Sequence, residues 1–127
     1  MKTAILMMAH GSRIAEANDA AREVAKMVQE ITGFEMVEVS FREMHEPNIQ
    51  LGIDACVAKG AERILLMPYF LFSGAHVLHD LPDEISEAKK RYPNLLMEMG
   101  GHIGVHRKLA EIEAERIGEA LEKLGWH

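Results

Sequence analysis

Apolar runs and amphipathic stretches take turns along this chain from end to end, and that alternation constrains its fold more than any other feature. A buried strand followed by a one-sided helix, repeated, is the pattern of β-α-β units around a parallel sheet. Four such units can be counted. The first strand is predicted over Thr3 to Ala9, apolar throughout, as when helices cover both faces of a sheet. A helix from about Ile14 to Ile31 follows, because Ile14, Ala17, Ala21, Val24, Val28 and Ile31 recur at helical spacing and Gly33 can close it. The second strand, Glu35 to Phe41, alternates more and suits an edge. Its helix runs from Asn48 to Lys59 with Ile49, Ile53, Cys56 and Val57 inward.

Arg63 to Tyr69 is the third strand. Asp80 is predicted as N-cap of the third helix, with Asp83 and Glu84 near its positive end, Lys89, Lys90 and Arg91 near its negative end, and Pro93 beyond. A short strand at Leu95 to Met99 precedes a last helix from about His106 to Leu124, expected to be buried through Leu109, Ile112, Ile117, Leu121 and Leu124. The expected fold class is therefore α/β, a three-layer sandwich with a four-stranded parallel sheet. At 127 residues, one domain spanning 1–127 is enough. Ligands of such sheets bind beyond the carboxyl ends of the strands.

That rim is where the histidines fall. His10 follows the first strand, His45 the second, His76 and His79 the third, His102 and His106 the fourth, and only His127 lies elsewhere. Imidazole ligates metals and titrates near neutral pH, so their convergence on one edge points to metal or proton chemistry. The net charge of −6 argues against nucleic acid as partner, and no apolar run is long enough to span a membrane. The first apolar segment is too short for a secretory leader, so the expected location is the cytoplasm. The single cysteine, Cys56, excludes a thiolate cage or a disulfide within the chain and reads as core.

His10-Gly11-Ser12-Arg13 sits where the first strand turns into its helix, with Gly11 permitting a close backbone approach and helix-start N–H groups able to hold an anion. A phosphate-handling turn is a rival reading, but neither Walker spacing nor a G-x-G-x-x-G fingerprint is present. Histidine phosphatases place an arginine just before the corresponding His, and here that residue is Ala9. The run from Pro68 to His76 carries an apolar strand into a loop with Gly74, and its aromatic and aliphatic residues suit a large, flat, apolar ligand with polar edges.

Taken together, His10-Gly11-Ser12-Arg13 with Asn18, the Glu46-Pro47 pair, Phe70 to His76 with Asp80-Leu81-Pro82, and the stretch Gly100 to Leu109 resemble the small single-domain sirohydrochlorin chelatases, that is, the cobaltochelatases of cobalamin biosynthesis and their iron- and nickel-inserting relatives. The likeness spans almost the whole chain. It implies a chelatase-like fold equal to half of a two-lobed chelatase, a homodimer, and sirohydrochlorin as the tetrapyrrole. It implies metal contact by His10 and His76, with His10 as proton acceptor, and substrate contact by Glu46, Leu71, Phe72, Ser73, Gly74, Ala75 and His76. Arg13, His102 and His106 are further candidates. The metal is a substrate, Co²⁺ by the family's commonest role, with Ni²⁺ or Fe²⁺ as alternatives, and no cofactor is expected to stay bound.

The chemistry agrees. Insertion removes two pyrrole N–H protons while the ion exchanges its ligands, so the site needs a base near neutral pH and loose coordination. Three or four strong ligands would trap the ion. The substrate is a polycarboxylate, for which Arg13, Arg42 and Arg107 are candidate partners despite the acidic net charge. A carrier that binds metal or tetrapyrrole without catalysis is the competing class.

Overall fold

The structure, a computed structural model, describes residues 1–72 and 74–126, and of 75–78 the backbone alone. It contains β1 (Thr3–Ala9), α1 (Ala15–Thr32), β2 (Met36–Phe41), α2 (Ile49–Ala58), β3 (Arg63–Pro68), α3 (Ala75–Arg91), β4 (Leu96–Met99) and α4 (Arg107–Leu124). The strands form one parallel sheet in the order β2-β1-β3-β4, which puts β2 at an edge as its alternation predicts. No helix among the described residues is long and apolar enough to cross a membrane.

The two faces of the sheet are filled differently. Ala4, Leu6 and Met8 of β1 join Ile64, Leu66 and Met97 in the main core, closed by Ile49, Ile53 and Cys56 of α2 and Leu81 and Ala88 of α3. Helix α2 comes close to the sheet because Gly52 has no side chain: a Cβ there would sit 2.8 Å from that of Ser40. On the other face α1 packs over β2, where Ala21 meets Ala9 and Phe41. Its inward face is Asn18, Ala21 and Ala25, not the stripe ending in Ile14 and Ile31, which are 62 % and 84 % exposed. Small residues let the middle of α1 lie close, and its two ends overhang.

Two expectations about helices are corrected. Asp80 does not cap α3, which begins a turn and a half earlier with Gly74 as N-cap and carries Pro82 inside it, leaving no acidic residue in the first turn. The Asp80 carboxylate is spent on Arg42 instead, at 2.6 Å, and Pro82 costs the helix one backbone bond. The predicted basic last turn, Lys89, Lys90 and Arg91, is present. Helix α4 forms where its spacing predicts, but none of its residues is buried: Ile112, Ile117 and Leu124 are all more than half exposed, and Leu121 is exposed as well. It makes no substantial packing with the sheet. On the α1 side, Leu65 and Met67 of β3 are accordingly only half-buried and Leu96 of β4 is exposed.

Candidate functional site

Because every strand runs the same way, the residues after β1, β2, β3 and β4 share one edge. His10 stands first on it, and its backbone is gripped by the neighbouring strand's continuation: Arg42 N–H donates to Ala9 O at 2.8 Å and Glu43 N–H to His10 O at 3.0 Å. Gly11 follows at φ 89°, and a Cβ on it would lie 1.8 Å from the Glu43 carbonyl oxygen, so no other residue fits. The turn is then tied to α1 by Asn18, 3 % exposed, whose side chain donates to Ser12 O at 2.8 Å and accepts from Ser12 N–H at 3.0 Å. Ser12 Oγ accepts from Ile14 N–H. On this hydrogen-bonded turn the His10 ring is exposed and leans on Phe70, centroids 4.1 Å apart, and it has no hydrogen bond among the described residues.

The loop after β2 is closed at its base by Phe41 N–H donating to Pro47 O at 2.8 Å, and Met44 at its tip has φ 65°. It presents Glu46, exposed, next to half-buried His45. Arg22 of α1 reaches into this loop, 2.9 Å from His45 Nε2 and 3.4 Å from Glu46 O. Nothing in the local sequence pattern joins Arg22 to His45, and Asn18 stands out there only as part of the family likeness.

Past β3 the chain continues the sheet's hydrogen bonding. Tyr69 N–H donates to Met8 O, while Ile103 and Gly104 donate to Phe70 O and Leu71 O. The aromatic run therefore divides: Phe70 is buried and Tyr69 half-buried, whereas Leu71 and Phe72 are 49 % and 66 % exposed on the rim. Gly74 is exposed and starts α3, whose first turn contains His76. Ser73, and the side chains of Ala75 and His76, lie outside the described residues, so the rim places the His76 backbone on the same edge as His10 and no more. His127 also lies outside them.

The remaining candidates separate by partner. Arg42 is committed to Asp80, whose hydrogen bond and charge raise the guanidinium pKa, and it also lies 3.8 Å from Glu43, so it does not hold a free charge for a substrate. Arg107 pairs with Glu111 in the open. Arg13 is exposed and has no partner among the described residues. His106 caps α4 by accepting from Lys108 N–H through Nδ1, and His102 and His79 are exposed. Among the described residues no three His, Cys, Asp or Glu side chains gather to hold an ion. Between His10, Asn18, Val24 and Phe41 opens a crevice of about 280 Å³. A larger hollow of about 480 Å³ beside Val57, Tyr92 and Leu95, at the other end of the sheet, contains no histidine.

The CbiX family profile matches residues 4–120. The chain is 39 % identical, over 94 % of its length, to a sirohydrochlorin cobaltochelatase of Priestia megaterium, and 36 % identical, over 91 %, to a sirohydrochlorin ferrochelatase of the same organism. It covers 39 % and 44 % of those two relatives, so it spans less than half the length of either. Among solved structures it is similar to the sirohydrochlorin chelatase SirB of Bacillus subtilis subspecies spizizenii in complex with cobalt, with a TM-score of 0.86 and 35 % identity over 94 % of this chain and 51 % of that one. In sequence and in fold, the chain belongs to the CbiX family.

Proposed function

We propose that this chain is a sirohydrochlorin chelatase that inserts Co²⁺ into the tetrapyrrole and releases two protons. The observation that carries this is the His10 ring: exposed, free of hydrogen bonds among the described residues, set on a turn tied down by hydrogen bonds to Glu43 and Asn18, and leaning on Phe70, which leads into the exposed apolar pair Leu71 and Phe72. An unencumbered imidazole beside an apolar shelf is what the reaction needs. The macrocycle lies on the shelf, His10 accepts a pyrrole proton at a ring nitrogen, and the ion passes from imidazole and water to the ring nitrogens. His76, in the first turn of α3, is the second metal contact. Glu46, on the loop after β2, is the candidate to take the other proton or steer the cation, and Arg13, exposed and without a partner among the described residues, is the candidate for a substrate carboxylate.

Iron is the second reading. It is favoured by the ferrochelatase relative, nearly as similar as the cobalt one. Imidazole ligands suit Co²⁺, Fe²⁺ and Ni²⁺ alike, so the choice is made by a rate and not by the donor set. We further propose a homodimer, because α4 exposes an apolar stripe and the sheet leaves β3 and β4 only partly covered on the α1 side. Two copies can satisfy both. The two Priestia megaterium relatives, of which this chain covers 44 % and 39 %, have room for a second such unit, which fits a two-unit assembly.

The test is the absorbance of sirohydrochlorin mixed with protein and each of the three ions under anaerobic conditions. Insertion of Co²⁺ faster than of Fe²⁺ or Ni²⁺, and well above the protein-free rate, is expected. Rates equal to the protein-free control for all three ions would make the chain a carrier.

A further inference from the structure

One histidine on the rim is not built to meet a metal. His45 lies one residue from Glu46, yet its Nε2 is 2.9 Å from Arg22 Nη2. A guanidinium has no lone pair and only donates, so Nε2 must be the acceptor. Of the two neutral tautomers, only that with hydrogen on Nδ1 satisfies this contact. Neither nitrogen is then open to an ion: Nε2 has its lone pair engaged beside a full positive charge, and Nδ1 carries the proton. The contrast with His10 is direct.

Arg22 is itself fixed from several sides. It donates to Asp19 at 3.2 Å and to Glu46 O at 3.4 Å, and its guanidinium lies over the Phe41 ring, 5.1 Å from the centroid. The His45 ring meets the same Phe41 edge-on, centroids 4.8 Å apart. Phe41 is fully buried and its N–H closes the loop through Pro47 O. Arg22, Phe41 and His45 thus fasten α1 to the loop that carries Glu46.

We propose that Arg22 and His45 are positioning residues, a latch that holds the 42–48 loop so that Glu46 faces the tetrapyrrole, and that His45 binds no metal. The inference rests on the chelatase reading for the identity of the tetrapyrrole, and the tautomer does not depend on it. Two measurements on the full chain decide it. In ¹⁵N-edited spectra at mildly alkaline pH, His45 is expected to carry its proton on Nδ1, and Arg22→Gln to release that preference. In titrations and kinetics, His45→Gln, whose side-chain oxygen can still accept from Arg22, is expected to keep the Co²⁺ affinity of the apoprotein and most of the insertion rate. His45→Leu is expected to raise the KM for sirohydrochlorin about tenfold, the worth of one hydrogen bond to a charged group, with the Co²⁺ affinity unchanged.

A proton on Nε2 in the wild-type protein, a Co²⁺ affinity that falls tenfold or more in His45→Gln, or an unchanged KM for sirohydrochlorin in a folded His45→Leu protein overturns the proposal. If the wild-type chain inserts no metal at all, the functional reading fails, while the tautomer and the Co²⁺ titration still decide the part of His45 and the sirohydrochlorin affinity of His45→Leu decides the latch.

Discussion

Asn18 illustrates what one side chain contributes to the site. It is buried on α1, and both ends of its amide are used to hold Ser12 two residues beyond His10. Replacing it by Ala leaves the Ser12 N–H and carbonyl without those partners, with an expected loss of about 1–3 kcal/mol in urea denaturation and a matching rise in the mobility of the turn. A helical position taken by Asn among Ala residues advertises a polar duty, but which backbone groups it serves depends on how α1 crosses β1 and β2. The same distance defeats any sequence reading of Arg22 with His45. Cys56 is the opposite case, read correctly as core from its spacing. It is buried on α2, and burial pushes its thiol up from 9.0 to about 11. The unfolded chain therefore loses this proton first as pH rises, so stability held below pH 9 should decline between 9 and about 11. Urea midpoints of the wild type and Cys56→Ala across that window check this: the decline should be shallower in the variant. Native protein should also resist alkylation at neutral pH.

At the scale of elements, β1 and β3 were legible because strands covered on both faces are apolar at nearly every position, and α2 because its inward residues sit on one stripe. The start of α3 was not. Asp80 and Pro82 carry the signals of a helix beginning, and only the tertiary pairing of Asp80 with Arg42 shows that the carboxylate is used elsewhere. Helix α4 was legible as a helix and illegible in its packing, since an apolar stripe states that something is covered without stating by what. Its exposed Ile112 and Ile117 carry the dimer proposal to a measurement. Ile112→Asp with Ile117→Asp should convert a dimer to a monomer in sedimentation velocity, with the helix content of the chain retained. A wild-type chain that sediments as a monomer at micromolar concentration would contradict it.

Over the whole molecule, the fold class, the strand order's edge at β2 and the rim that gathers the histidines follow from the alternation of apolar runs. What did not follow is the sorting of the rim, because each side chain's role is set by its partner: Arg22 takes His45, Asp80 takes Arg42, Lys108 takes His106, and the His10 ring has no hydrogen-bond partner among the described residues. On the proposed function the acidic chain has to hold a polycarboxylate through local charge, and of the three arginines named from sequence only Arg13 is unpaired among the described residues. On the proposed function, the imidazole of His10 performs the proton transfer. Its most direct test is single-turnover insertion of Co²⁺ into sirohydrochlorin by His10→Ala, alongside its thermal unfolding. Because the ring is exposed, the variant should unfold within about 0.5 kcal/mol of the wild type, while insertion drops by at least about 100-fold toward the protein-free rate. Insertion at the wild-type rate by a folded His10→Ala protein would contradict the assignment.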